Sequence, residues 1–331
     1  MGLHSCTGTC DMSAGNSPVR RVLSIDGGGI KGVFAASFLA EIETSLGEPL
    51  VDHFDLIAGT STGGIIALGL GMGLSAKEIL SFYEDHGPEI FRGSPLKLLR
   101  WLGAAKYDKA PLEKALAEVF GSRSLGESKT RLMIPSLDLE TGAVHVFKTA
   151  HHDRFVRDYK ERVVDVALST AAAPTYFPTH TFEAGVPLID GGMWANNPMG
   201  PAAIEAIGLL EWQKGRIRLL SIGCTESPLD MYDRSARGLG LNYWARRLMT
   251  VTMAGQSSSS LGTAQLLLGH ENVHRVSPSV SRKRYKLDGV EGIHSLRGLG
   301  SSQARIEFPK VKDMFLTGKA EAFVPNRGRE S

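Results

Sequence analysis

Cysteine is scarce in this chain: Cys6, Cys10 and Cys224 are the three among 331 residues. An odd, sparse set argues against a disulfide framework and fits a reducing compartment. Cys6 and Cys10 sit in a Ser/Thr/Gly-rich start without a second ligand pair at metal-binding spacing, so no metal site is expected there. A surplus of one charge is missing too. Lys and Arg number 37 and Asp and Glu 35, a formal balance of +2, which does not suit a chain that binds a nucleic-acid polymer. No basic-then-apolar signal pattern opens the sequence, and no internal repeat or convincing linker divides it. Long apolar runs are lacking with one exception. Residues 56–74, LIAGTSTGGIIALGLGMGL, carry no charge over a membrane-spanning length. Six glycines and a Thr-Ser-Thr centre suit a buried strand, turn and helix better than a bilayer span. The expectation is a cytoplasmic chain that meets the inner face of a membrane only peripherally.

What is present is 42% hydrophobic content, enough to bury one large core. Residues 1–19 read as a flexible leader and 20–331 as a single domain. Within it the motif-bearing core spans 20–225, and 226–331 reads as a helical and loop extension packed on that core. From Val22 onward, short apolar runs alternate with helical patterns. Val22–Ile25, Phe54–Gly59, Thr130–Asp138, Ala143–Lys148, Pro187–Asp190 and Arg216–Ile222 read as strands. Gly32 to Leu46 reads as a helix, with Val33, Phe34, Phe38, Leu39, Ile42 and Leu46 recurring on one side. Ser75–His86, Pro111–Phe120, Arg162–Ala171 and Pro201–Trp212 read as further helices, and Tyr243–Leu268 as a long one interrupted near Gly255–Ser260. Such alternation predicts a three-layer α/β fold around a mostly parallel central sheet.

Two glycine-rich turns carry the chemistry. The first is LSIDGGGIKG at 23–32, where Gly27, Gly29 and Gly32 follow a strand in G-x-G-x-x-G spacing. That setting binds a dinucleotide pyrophosphate at a helix N-terminus. It equally suits the oxyanion of acyl transfer, because consecutive glycines leave backbone N–H groups open to approach. The dinucleotide reading is the weaker. Asp26 adds negative charge beside the glycines, and the acids in range, Glu48 and Asp52, precede the second strand instead of ending it. The second turn is GTSTG at 59–63, a G-x-S-x-G pattern between strand and helix. This is the context of a nucleophile elbow, with Ser61 in a sharp turn and a helix N-terminus favouring developing negative charge. Gly28 and Gly29 are then natural oxyanion donors, with Gly27 and the Thr62 N–H as further ones. A serine also needs a base. One layout is a triad of Ser61, Asp190 and one of His270, His274 or His294, although only two strands precede the elbow. The other is a dyad in which Asp190, ending the strand of LIDGGMWANNP, takes the proton directly.

In this order, D-G-G-G-I-K-G (26–32), G-T-S-T-G (59–63), A-A-P-T-Y-F-P (172–178) and D-G-G (190–192) resemble the patatin-like phospholipases, over roughly residues 20–225. The resemblance implies a three-layer α/β/α fold, a Ser–Asp dyad without histidine, and hydrolysis of lipid acyl esters with no metal or other catalytic cofactor. On this sequence Ser61 matches the nucleophile, Asp190 the base, and Gly27, Gly28 and Gly29 the oxyanion loop. Lys31 falls where the family carries Arg or Lys and is a candidate for a substrate phosphate. Phe91–Trp101 and Tyr176–Phe182 are candidate acyl-pocket segments. Pro95–Leu102 mixes Lys and Arg with Leu and Trp, as surface-lying membrane helices do. The compact length resembles bacterial patatins that degrade membranes in anti-phage defence and are switched on by a cyclic dinucleotide. Arg282, Lys283, Arg284 and Lys286 are then candidate phosphate contacts, with Tyr285 a candidate to stack on a base. The partners so implied are a phospholipid membrane, a cyclic dinucleotide and a second copy of the chain. Two other readings stay open: a constitutive esterase or lipase on soluble or neutral esters, and a non-catalytic patatin-like binding or storage protein.

Overall fold

The computed structural model describes residues 18–92, 104–182, 185–229, 240, 243–244, 247–281 and 284–326. Residues 1–17 of the expected leader, the interfacial segment Pro95–Leu102, and the pair Arg282 and Lys283 lie outside the described residues.

Eight strands form one sheet: β1 (Arg20–Ile25), β2 (Leu56–Gly59), β3 (Arg131–Asp138), β4 (Val144–Lys148), β5 (His180–Thr181), β6 (Pro187–Asp190), β7 (Ile217–Ile222) and β8 (Val273–Val276). Their order is β5-β6-β3-β2-β1-β7-β8, with β4 also paired to β3. The run β3-β2-β1-β7-β8 is parallel, whereas β4, β5 and β6 pair antiparallel. Successive strand residues point to opposite faces, and the buried side chains divide accordingly. Leu23, Ile25, Ile57, Leu132, Ile134 and Leu220 join one core, while Val22, Leu56, Ala58, Met133 and Leu219 join another. The first core is covered by α1 (Gly32–Leu46), α2 (Thr62–Gly71), α3 (Ala76–Ile90), α4 (Ala110–Phe120), α5 (Val163–Ala171) and the C-terminal helix Ile293–Phe315. The second is covered by α7 (Met199–Gly208) and α8 (Leu248–Leu268), which follow the one-turn helix α6 (Gly192–Ala195). The expected mostly parallel α/β architecture is thus present, and the two cores make it three-layered. α1 spans its expected residues because Gly47 adopts a left-handed C-cap at φ 78°.

The segment after residue 225 differs from its sequence reading. It contributes β8, an edge strand of the main sheet beside β7, as well as helices. α8 runs unbroken through Gly255–Ser260, because the Ser260 hydroxyl is tied to the Asn197 carbonyl at 2.7 Å and accepts the Gly200 N–H at 2.8 Å. Tertiary bonds there outweigh weak helix propensity. The C-terminal helix, α9 (Ile293–Phe315), lies along α1.

One topological detail sets up the site. β4 pairs with β3 residues 133–137, so it occupies one side of β3. β2 pairs with 131–133 and β6 with 136–138, so both share the other side. Since β2 is parallel to β3 and β6 antiparallel, their C-terminal ends meet in a single column.

Candidate active site

β2 ends at Gly59 and α2 begins at Thr62, leaving Ser61 in a tight turn. Its backbone sits at φ 54°, ψ −122°, a conformation that costs a non-glycine residue about 1–3 kcal/mol. Two braces hold it. The Ser61 N–H donates to Thr170 Oγ1 at 3.0 Å, and Thr170 Oγ1 donates onward to the Pro135 carbonyl at 2.6 Å. Thr60 Oγ1 donates to the Ala195 carbonyl at 2.6 Å. Crowding dictates the glycine at 63, where a Cβ would lie 2.3 Å from the Ile25 carbonyl oxygen. Only a bare backbone lets α2 start so close to β1.

β6 brings Asp190 to the same point from the opposite direction. The Ser61 hydroxyl lies close enough to its carboxyl to favour the charged form, and Asp190 Oδ1 accepts the Gly192 N–H at 2.6 Å. Burial pushes the Asp190 carboxyl up to about 6, against the opposing effect of the Ser61 hydroxyl and the Gly192 N–H. Such a group is largely ionised at neutral pH yet basic enough to take a proton.

The glycine loop opens at the same sheet edge, because β1 and β2 are parallel neighbours with Ile25 beside Gly59. Gly28, Gly29 and Thr62 line one cleft with Ser61 and Asp190. Among the described residues, no acceptor meets the N–H of Gly28, Gly29 or Thr62. Gly27 is a correction: its N–H is spent on the Asn196 carbonyl at 2.9 Å, so it is not a free oxyanion donor. A Cβ on Gly28 would lie 2.5 Å from Cys224 Cβ, so the loop packs tightly against the end of β7. Asp26, beside the glycines, is buried and paired to Arg275 of β8 at 2.7 Å. That guanidinium neutralises the charge that the sequence sets next to the loop. Arg275 also bonds Glu226 at 2.8 Å and Ser221 Oγ at 2.8 Å.

The cleft has a cavity volume of about 140 Å³. Its apolar wall includes Ile65, Phe82, Ile90, Phe91, Phe177 and Met253. Phe91, Tyr176 and Phe177 come from the two expected segments, whereas Phe82 and Ile90 of α3 and the methionines of α8 were not anticipated. A serine beside a buried carboxyl and unpaired N–H groups at the base of an apolar cleft are equipped to cleave an ester of a long acyl chain.

The patatin-like phospholipase family model matches residues 23–203. A cGAMP-activated phospholipase of Pseudomonas aeruginosa is 35% identical over 297 residues, covering 87% of this chain and 89% of that protein. One of Escherichia coli is 42% identical over 61% of this chain and 58% of its own length. One of Vibrio cholerae is 36% identical over 75% and 76%. This chain belongs to the patatin-like phospholipase family.

The remaining candidates of this patatin fall outside the Ser61–Asp190 contact. Lys31 ends the short turn Gly29–Lys31, half-buried, with Nζ 3.5 Å from the Thr225 carbonyl. His274 is on edge strand β8, three strands from β2, and pairs with Glu307 at 2.9 Å. No histidine occurs among the described residues lining the cleft, so the triad with His270, His274 or His294 has no geometric support. Arg284 and Lys286 are exposed. Tyr285 is a second correction: its ring packs against the core and Gly292, carries the Arg284 guanidinium at 5.3 Å, and its hydroxyl meets Ser295 Oγ at 2.6 Å. The protein itself takes up that ring, so it is not presented to a base. Thr170 and Arg275 were missed. Thr170 lies two positions before the A-A-P-T-Y-F-P stretch, so the motif's edge held a signal; Arg275 had none.

Proposed function

We propose that this patatin-like phospholipase cleaves acyl esters of membrane phospholipids with Ser61 as nucleophile and Asp190 as base. The observation that carries the reading is the meeting of the Ser61 hydroxyl and the buried Asp190 carboxyl at the foot of the apolar cleft. Asp190 takes the hydroxyl proton as Ser61 Oγ attacks the ester carbonyl. The oxyanion is met by the N–H groups of Gly28, Gly29 and Thr62, each of which contributes about 10²–10³ in rate when lost singly. The proton returns to the leaving lysolipid oxygen, leaving an acyl-Ser61. Asp190 then deprotonates a water that releases the fatty acid and restores the hydroxyl.

Activation by a cyclic dinucleotide of the cGAMP type rests on the relatives' names, and a role in anti-phage defence at the inner membrane face is the part of the proposal that the motif resemblance alone suggests. The exposed Arg284 and Lys286, next in sequence to Arg282 and Lys283, are the proposed phosphate contacts. Support comes from a direct link to the glycine loop: the Leu287 carbonyl accepts the Ile30 N–H at 2.8 Å, and Leu287 lines the cleft. A ligand held at that segment bears immediately on the oxyanion donors. The test is fatty-acid release from phospholipid vesicles by wild type and Ser61→Ala, each with and without cGAMP. Release only with cGAMP, lost in Ser61→Ala, is expected. Release by wild type without ligand would mark a constitutive lipase. Equal release by Ser61→Ala would remove the nucleophile.

A further inference from the structure

α8 is two helices in character. Its C-terminal half is held by the protein: Ser260, Ala264 and Leu268, four residues apart, are buried against α7. Between Leu248 and Ser259 no residue is buried. The first turns of that half carry large apolar side chains into solvent, while Gln256 further along bonds the Met193 carbonyl at 2.8 Å. Leu248 is 60% exposed and Met249 47% exposed, and Trp244 just before the helix is 39% exposed. Met249 and Met253 also line the catalytic cleft. The exposed patch is therefore continuous with the wall that leads to Ser61.

The sequence leading into this patch carries charge of one sign. From Arg234 to His270 the sequence contains Arg234, Arg237, Arg246 and Arg247 and neither Asp nor Glu. The whole chain carries only +2, so this stretch concentrates positive charge. The Arg247 guanidinium lies 4.1 Å over the Tyr243 ring and Nη1 donates to the Tyr243 carbonyl at 3.1 Å, setting a cation and two aromatics next to Leu248. Aromatic, arginine and leucine side chains mixed without acids suit the boundary between anionic headgroups and acyl chains.

We propose that the N-terminal half of α8, with Trp244, is the surface through which this protein docks on an anionic phospholipid bilayer. Leu248 and Trp244 enter the headgroup boundary, and Met249 and Met253 form an apolar ramp along which an acyl chain passes to Ser61 without crossing water. The proposal rests on the phospholipid reading of the cleft. The expected interfacial segment Pro95–Leu102 lies outside the described residues.

The test compares wild type with Leu248→Asp and with the double variant Leu248→Asp/Trp244→Ser, all with cGAMP present. Three readouts are taken: co-sedimentation with phosphatidylglycerol-containing vesicles, fatty-acid release from them, and hydrolysis of a short-chain nitrophenyl ester kept monomeric. Docking predicts a loss of vesicle binding and vesicle hydrolysis of about tenfold or more in the double variant, with ester hydrolysis within about twofold of wild type. Retained ester hydrolysis shows that the variant is folded. Wild-type binding by the double variant, equal loss of all three readouts, or no sedimentation of wild type would each overturn docking through α8. If wild type binds vesicles, the double variant does not, and neither releases fatty acid, docking stands and the phospholipid reading fails.

Discussion

Replacing Thr170 by Val tests whether the elbow is held from outside the motif. Thr170 is fully buried, and valine keeps its shape while removing the oxygen that joins Ser61 to Pro135. The substitution orphans the Ser61 N–H, at about 1–3 kcal/mol for a buried donor, and deletes the 2.6 Å bond to the Pro135 carbonyl, at about 1 kcal/mol. A stability loss of about 2–4 kcal/mol follows. The functional consequence is larger than that of ordinary destabilisation, because Ser61 sits at φ 54°, a conformation that relaxes once its amide is released. A shift of about 1 Å in the hydroxyl costs on the order of 10²-fold in rate. The assay is urea unfolding together with kcat and KM on a monomeric ester. Thr170→Ser keeps the hydroxyl and loses a methyl, so it is expected to lose stability while retaining kcat within about twofold. A Thr170→Val protein with wild-type kcat would refute the positioning role.

Asp190 makes two linked predictions. Its folded-state carboxyl is raised from 3.8 to about 6 by burial, so kcat/KM on a monomeric ester should rise with an apparent pKa near 6 as the base ionises. Because the folded value lies above the unfolded one, the folded state holds the proton more tightly between those values. Stability from this group is full below the unfolded value and is lost as pH rises through the folded one. Asp190→Asn should therefore be inactive yet more stable than wild type at pH 8, by up to about 3 kcal/mol at about 1.4 kcal/mol per unit; an unchanged melting temperature across pH 4 to 8 counts against it. Arg275→Met leaves Asp26 buried without its cation and should cost about 3–5 kcal/mol in thermal unfolding, largely recovered by adding Asp26→Asn. Equal melting of the single and double variants would argue that the pair is not coupled.

The parts of the site legible in the sequence are those fixed by local constraint. GTSTG announces itself because the turn, the missing side chains and the helix start lie within five residues. The glycine loop is legible for the same reason, although its donor count is not: Gly27 looks like its neighbours until the Asn196 carbonyl is brought beside it. The Ser61–Asp190 contact is long-range. It depends on β6 entering antiparallel above β2 in the column beside β3, and a four-residue strand carries no mark of its direction. Arg275 meets Asp26 across 249 positions of sequence, in a strand of only four residues, VHRV. α9 was obscured by Gly298, Gly300 and Pro309 within it. Gly300 is there because a Cβ would lie 2.5 Å from the Phe34 carbonyl oxygen, a requirement of the α1 crossing that helix propensity alone does not reveal.

The most direct test of the account is covalent trapping of the nucleophile. Wild type, Ser61→Ala and Asp190→Asn are incubated with a long-chain fluorophosphonate, and the adduct is mapped by mass spectrometry with its rate of formation. The account predicts one adduct, on Ser61, absent from Ser61→Ala and formed about 10²–10⁴ times more slowly in Asp190→Asn. An adduct on another serine, or undiminished labelling of Ser61 in Asp190→Asn, would contradict it.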